Sequence, residues 1–274
     1  MGGTVARMFR SFYGMRENPF NKDVREDQCF QSNDFKETTA RLKRLSEIRG
    51  IGVITAPPGC GKTYALRCFF HNLNPNLFQM LYICLSTVSV TDFYSQLCTA
   101  LGVECSQRKS IMFNNIQERL YSMYKDKRRP MILAIDESHE LDARILKDIK
   151  MIMNQHYDSL DCFALVLLAE PRLNNELQKS VHEALRQRIT IHYNFEGLNN
   201  DEIQNYISHK LSVAGATVNI LGEGTVAAIC GYARGNPRLI DNLMTDILTL
   251  GAQMNKHVID TDIVLAAMNN QQLG

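Results

Sequence analysis

The run Ala56-Pro57-Pro58-Gly59-Cys60-Gly61-Lys62-Thr63 places two glycines, a lysine and a hydroxyl in one short segment. It matches the phosphate-loop pattern G-x-x-x-x-G-K-[ST], with alanine standing for the first glycine. A loop of this kind turns its backbone N–H groups, with those of the helix that follows, toward an anion, and glycine permits an approach that a Cβ would block. Lys62 then reaches the outer phosphates of a nucleotide and the Thr63 hydroxyl becomes a Mg²⁺ ligand, while Pro58, Gly59, Cys60, Gly61 and Tyr64 complete the cradle. Further on, Met131-Ile132-Leu133-Ala134-Ile135 is an apolar run that ends in Asp136 and Glu137. In that pairing Asp136 completes the metal shell and Glu137 orients and polarises an attacking water.

Those groups need a scaffold that sets strand ends side by side. Residues 50–55 read as a buried strand bounded by glycine, followed by the loop and an apolar helix at 64–71. Strands are expected at 81–85, 131–135, 163–169 and 192–195, and helices at 41–49, 91–101, 111–125 and 143–154. This alternation implies an α/β fold, a parallel sheet covered on both faces in three layers. After residue 199 the reading becomes helical only, at 201–214, 223–232, 237–254 and 260–269, with Asn199 or Asn200 capping the first helix and Asp260 or Thr261 the last. The expected organisation is an N-terminal extension over 1–40, a nucleotide-binding domain over 41–197 and a small helical lid over 198–274.

Composition narrows the class further. With 45% hydrophobic and 22% charged residues the chain is of the ordinary soluble globular kind, so function must come from sites. A formal net charge of +1 gives no global attraction to nucleic acid, and any DNA contact rests on local basic clusters. The eight cysteines form no C-x-x-C pair, which argues against a zinc site or a disulfide framework and fits a reducing compartment. No signal peptide is legible, and the longest apolar runs are too short to cross a bilayer, so a cytoplasmic chain without a membrane partner is expected.

Beyond the two chemical motifs, the chain resembles the AAA+ ATPases of the ExeA/GspA type and their transposon relatives, the TnsC, TniB and MuB target-selection proteins. Phe12-Tyr13-Gly14-Met15-Arg16-Glu17-Asn18-Pro19-Phe20 is similar to that family's opening F-x-G-x-x-x-x-P-F segment, and Asp136-Glu137-Ser138-His139-Glu140-Leu141 to its D-E-A-x-x-L run. Leu167-Leu168-Ala169-Glu170-Pro171-Arg172-Leu173 resembles its L-V-G-Q-P-E-L run, and Leu185-Arg186-Gln187-Arg188-Ile189 its Q-R-[IL] element. Gly235-Asn236-Pro237-Arg238-Leu239-Ile240 resembles the G-x-P-R element. The resemblance implies a P-loop NTPase (AAA+) fold, with Arg188 as an arginine finger, Arg186 as its fallback, and Arg238 contacting the nucleotide from the lid. It also places Glu170 at the sensor position among the catalytic groups. There the family carries a neutral polar side chain, and a carboxylate near a triphosphate calls for a balancing cation such as Arg172.

A finger supplied in trans implies a homo-oligomer, closed as a ring or open as a helical filament. The transposon branch adds double-stranded DNA and a transposase as partners, and a slow, assembly-stimulated, Mg-dependent ATPase that selects the target. The candidate phosphate contacts are Lys125, Lys127, Arg128 and Arg129, then Arg108 and Lys109, then Lys147 and Lys150, with the 86–92 loop as a further candidate. Two alternatives stand beside that reading: an ExeA-type secretion or signalling ATPase module with protein partners only, and a nucleotide switch that does not hydrolyse. Replacing Lys62 with Ala is expected to abolish adenine-nucleotide affinity in titration calorimetry. Wild-type affinity in that variant would take the loop out of the site.

Overall fold

The structure, a computed structural model, describes residues 9–21, 25–84, 89–127, 130–154, 160–216 and 220–271. It divides into two units, Phe35–Phe195 and a second made of Met1–Asp34 with Glu196–Gly274.

The first unit is built on five strands: β1 (Gly50–Thr55), β2 (Gln79–Cys84), β3 (Met131–Asp136), β4 (Phe163–Ala169) and β5 (Ile189–Asn194). All pairings are parallel and the order across the sheet is β2-β3-β4-β1-β5. The helices are α1 (Asn33–Ile48), α2 (Lys62–Asn72), α3 (Val90–Leu101), α4 (Lys109–Lys127), α5 (Ala143–Met153), α6 (Arg172–Gln178) and the single turn α7 (Glu183–Arg186). β1, β3 and β4 are buried along their whole length, which is why they read as continuous apolar runs rather than as an alternation.

Alternate residues of those strands serve different layers. Ile51, Val53, Leu133, Ile135, Leu165 and Leu167 join one core with the apolar residues of α3, α4 and α5. The opposite face receives α1, where Leu45 Cδ2 would stand 2.6 Å from a Cβ built on Gly52. Glycine at 52 therefore sets how closely α1 approaches β1. Start and stop signals also explain the helix bounds. Ser89 and Asp92 form a capping box before α3, and Gly102 ends it in the left-handed region at φ 66°.

The second unit holds α8 (Asn200–Val213), α9 (Thr225–Ala233), α10 (Pro237–Gln253) and α11 (Thr261–Gln271). Asn199 caps α8 in a reciprocal box with Glu202, and Asn236 caps α10 ahead of Pro237. Along α10, Ile240, Leu243, Met244, Ile247, Leu248 and Gly251 repeat at helical spacing and are buried.

The expected 1–40 extension is corrected here. Phe9, Tyr13, Met15 and Phe20 are buried in the same core as α8 to α11, so the described residues 9–20 pack within the helical unit, while residues 35–40 belong to α1 of the first unit. The Tyr13 hydroxyl donates to the Lys256 carbonyl at 2.8 Å, and burial raises its pKa to about 12. A Cβ on Gly251 would lie 2.3 Å from that hydroxyl, so only glycine lets the segment lie against α10. Phe20 packs under the Lys210 ammonium, 5.6 Å from the ring centroid, and that ammonium bonds both Asp241 oxygens at 2.9 Å. The helix expected at 41–49 begins earlier, at Asn33, whose N–H donates to Glu202 Oε1 at 2.7 Å. Asp34 accepts from the N–H groups of Glu196 and Gly197 at 3.2 and 2.8 Å, contacts far apart in sequence that no local signal announces. Replacing Tyr13 with Ala should lower stability in urea melts by about 3–5 kcal/mol, the range for losing a buried aromatic side chain. Unchanged unfolding would exclude the segment from the core.

Candidate active site

The sheet order decides which strand ends meet. β4 lies between β1 and β3, and Thr55 pairs with Ala169 while Ile135 pairs with Leu167, so the three strands finish within one residue of the same level. At about 4.8 Å per strand, the loop after β1 and the carboxylates after β3 are about 10 Å apart, with Glu170 between them.

The loop after β1 has the geometry that its glycines suggested. Gly59 and Gly61 sit at φ 85° and 92°, and Gly61 is the N-cap of α2. A Cβ on Gly61 would meet no protein atom within 4 Å, so the conformation rather than crowding demands glycine, and the side where the Cβ would stand is open. Ala56, the departure from the pattern, is fully buried with its N–H donated to the Ala169 carbonyl at 3.0 Å. Its φ is not positive, so a methyl group is accommodated where the pattern has glycine. Lys62 is only 6% exposed and has no carboxylate partner among the described residues. A buried ammonium beside an open helix N-terminus fits an anionic ligand such as the phosphates of a nucleotide.

Asp136 is 2% exposed and fully engaged. Its Oδ2 accepts from the Thr63 hydroxyl at 2.7 Å and the Tyr82 hydroxyl at 3.0 Å, and Oδ1 accepts from the Glu137 N–H at 2.8 Å. Burial first, and the Asp136 carboxylate second, push the Tyr82 phenol far above its usual range, so it remains a donor. The Thr63 and Asp136 oxygens, brought together from two motifs, are the hard donor set that a divalent cation such as Mg²⁺ takes. Glu137 follows at φ 54° and ψ 33°, a left-handed conformation that is costly for a side-chain-bearing residue and recurs at functional sites. The buried Ser138 hydroxyl bonds the Ile135 carbonyl at 2.7 Å and holds this turn.

Side chains of Glu137, His139 and Glu170 offer polar atoms that all lie within 4.8 Å of one another. Arg172 ion-pairs with Glu140, and its Nε lies 3.7 Å from Glu170 Oε2, which supplies the cation that a carboxylate at this position requires. On the other flank, the Asn174 amide donates to Thr55 Oγ1 at 3.1 Å and to Asn194 Oδ1 at 2.8 Å, joining the ends of β1 and β5.

Tyr82 and His139 were not assigned to the site by sequence reasoning. Tyr82 faces Ala134 across the β2–β3 ladder, which makes it a diagonal neighbour of Asp136; the register had to be known first.

The arginines separate cleanly. Arg186 donates to the Leu177 and Gln178 carbonyls, each at 3.1 Å, and so closes the C-terminus of α6. Arg188 stands with Gly50, Ile51, Asp161 and Thr190 around a cleft of about 320 Å³ where β1 and β5 begin. Six residues of strand at about 3.3 Å each put it about 20 Å from the phosphate loop of its own chain. Arg238 is exposed in the first turn of α10.

Among the described basic candidates, those at the start of α4 and on α5 adjoin one another, and Lys125 stands apart. Lys109 is ion-paired with Asp148 of α5, while Arg108 and Lys147 are exposed and Lys150 is half-buried. Lys125 is exposed but sits sixteen residues along α4 from Lys109, about 24 Å at 1.5 Å per residue. Arg128, Arg129, the Lys127 side chain and residues 86–88 of the 86–92 loop lie outside the described residues.

Fold and site together define an α/β P-loop fold of the AAA+ type, a five-stranded parallel sheet with a C-terminal helical region. Residues 46–177 match the family model of the AAA domain, which implies nucleotide binding and points to nucleotide hydrolysis. General secretion pathway protein A of Aeromonas hydrophila is 26% identical over 265 residues, covering 95% of this chain and 48% of that protein. The chain thus is a distant homologue that spans about half the length of this curated relative.

Among solved structures, Cdc6p from Pyrobaculum aerophilum superposes with a TM-score of 0.71 at 16% identity, over 93% of this chain and 71% of that one. The Aeropyrum pernix ORC1 protein in complex with DNA gives 0.65 at 17%, over 92% and 68%. The Thermotoga maritima RuvB Holliday junction branch migration motor gives 0.58 at 18%, over 93% and 74%. At such identities these likenesses show the fold alone. No helix among the described residues is long and apolar enough to cross a membrane.

Arg186→Ala should lower stability by about 1 kcal/mol, as expected for lost hydrogen bonds on an exposed cation, and leave nucleotide affinity intact. A variant of wild-type stability that has lost turnover would reverse the roles of the two arginines.

Proposed function

We propose that this chain is a Mg-dependent ATPase module of the ExeA/GspA type, which turns over ATP when copies assemble and acts on protein partners. One observation carries the reading: the Thr63 hydroxyl and the Asp136 carboxylate, from motifs far apart in sequence, meet at 2.7 Å beside the buried Lys62. Lys62 and the loop N–H groups would hold the β- and γ-phosphates, and Thr63 and Asp136 would hold Mg²⁺. Bound Mg²⁺ offsets charge on the phosphate oxygens. Glu137 orients the water that attacks in line, and its carboxylate accepts the proton. The position of Arg188 at the far end of the sheet from its own loop supports a role as a finger for a neighbouring copy.

Protein partners are favoured over target DNA because the curated relative at 26% identity carries a secretion-pathway name and extends beyond the span it shares with this chain. Among the described residues, Lys125 also stands apart from the basic groups at the start of α4 and on α5.

Phosphate release per chain should rise with protein concentration in the wild type and fall by about 10²-fold or more in Glu137→Gln, the usual range for loss of a general base. Equal, near-zero rates in both would make the chain a switch. Arg188→Ala should keep ATP affinity but lose the concentration-dependent rise; an undiminished rise would reject the finger. Duplex DNA at low salt should change neither assembly nor rate. Salt-sensitive DNA binding that promotes assembly would instead restore the transposition reading.

A further inference from the structure

His139 stands where the ends of β3 and β4 meet, and its side chain is only 4% exposed. Its Nδ1 accepts the backbone N–H of Glu170 at 3.1 Å. A ring nitrogen that accepts carries a lone pair, so the neutral imidazole bears its proton on Nε2. That Nε2 faces Glu140 Oε1 at 3.5 Å and Glu170 Oε1 at 3.8 Å, both carboxylates also addressed by Arg172. Glu137 Oε2 lies 3.5 Å from Nδ1. In this tautomer the ring has no proton to give Glu137, so it bounds the carboxylate sterically and leaves that oxygen to accept from water.

We propose that His139 is a positioning residue for Glu137, held by the Glu170 N–H in the one neutral tautomer that cannot donate to that acid. The end of β4 thereby controls the water-activating group. If Glu170 withdraws its N–H, Nδ1 is released, the ring can carry its proton there, and a hydrogen bond from Nδ1 to Glu137 Oε2 occupies the oxygen that water needs. The idea rests on the role given to Glu137 above. It adds a route by which a shift at the sensor strand turns hydrolysis off without touching the phosphate loop.

The test combines ¹⁵N NMR of histidine-labelled full chain with phosphate release and binding of a non-hydrolysable ATP analogue. In the wild type the His139 Nδ1 should resonate as an acceptor nitrogen and Nε2 as a protonated one; the opposite pattern overturns the proposal. His139→Ala should lose about tenfold or more in kcat, at the low end of what a mispositioned general base costs, with analogue affinity within about twofold. His139→Asn places an amide oxygen where Nδ1 stood and should recover most of that loss, whereas His139→Gln, whose polar atoms sit farther out, should not. Wild-type kcat in His139→Ala, or equal rescue by Asn and Gln, overturns it. If His139→Ala does not fold, the NMR pattern and the Asn–Gln comparison still decide. Should wild type and Glu137→Gln release phosphate equally, the reading of Glu137 fails, and that result is distinct from any failure of His139 alone.

Discussion

A hydroxyl at the first turn of α2 donating to a buried carboxylate at the tip of β3 is the contact on which the site depends. Thr63 and Asp136 belong to different strand–helix units, and their 2.7 Å approach requires β1 and β3 to end at one level with a single strand between them. If the sheet order changed, the phosphate loop and the two acids would still exist as motifs but would face different surroundings. The Tyr82 hydroxyl and the Glu137 N–H occupy the other positions around Asp136, so the carboxylate is oriented before any ligand arrives. Such preorganisation matters because a side chain already fixed gives up little entropy on binding a cation or a phosphate.

The flank of the site toward β4 is acidic, with Glu137, Glu140 and Glu170 close together around one nearly buried imidazole. An arrangement of that kind calls for compensation, because like charges at such separation repel one another. Arg172 supplies a full charge, paired with Glu140 and close to Glu170, and the His139 imidazole stands between the acids. Glu170 is therefore integrated into a network of side chains.

In the helical unit the N-terminal segment performs structural work. Aromatic residues from positions 9–20 fill the core against α10, and the Lys210–Asp241 pair is closed over by Phe20 and Tyr206. Burial works against charge on both members of this pair, raising the Asp241 pKa and lowering that of Lys210, while their mutual attraction opposes the change. The similarity of residues 12–20 to a family's opening segment thus acquires a physical meaning, as a set of core side chains delivered from the start of the chain.

What the amino-acid sequence determined by itself was whatever is local. The glycine–lysine–threonine loop, the apolar strand ending in Asp136-Glu137, the alternation of strands and helices, and the paired cap candidates at 199–200 and 260–261 are encoded within short windows, where spacing and side-chain chemistry suffice; the structure chose Asn199 and Asp260. What only the tertiary structure decided was every choice that depends on register or on distant neighbours. It assigned Arg186 to capping α6 and placed Arg188 at the far end of the sheet, added Tyr82 to the Asp136 shell, made His139 the hub of the acids, and moved the N-terminal segment into the helical core. The short α6, also missed, is too brief to show a hydrophobic period. Strand order and side-chain direction are set by the collective burial of both sheet faces, and no window of sequence contains that balance.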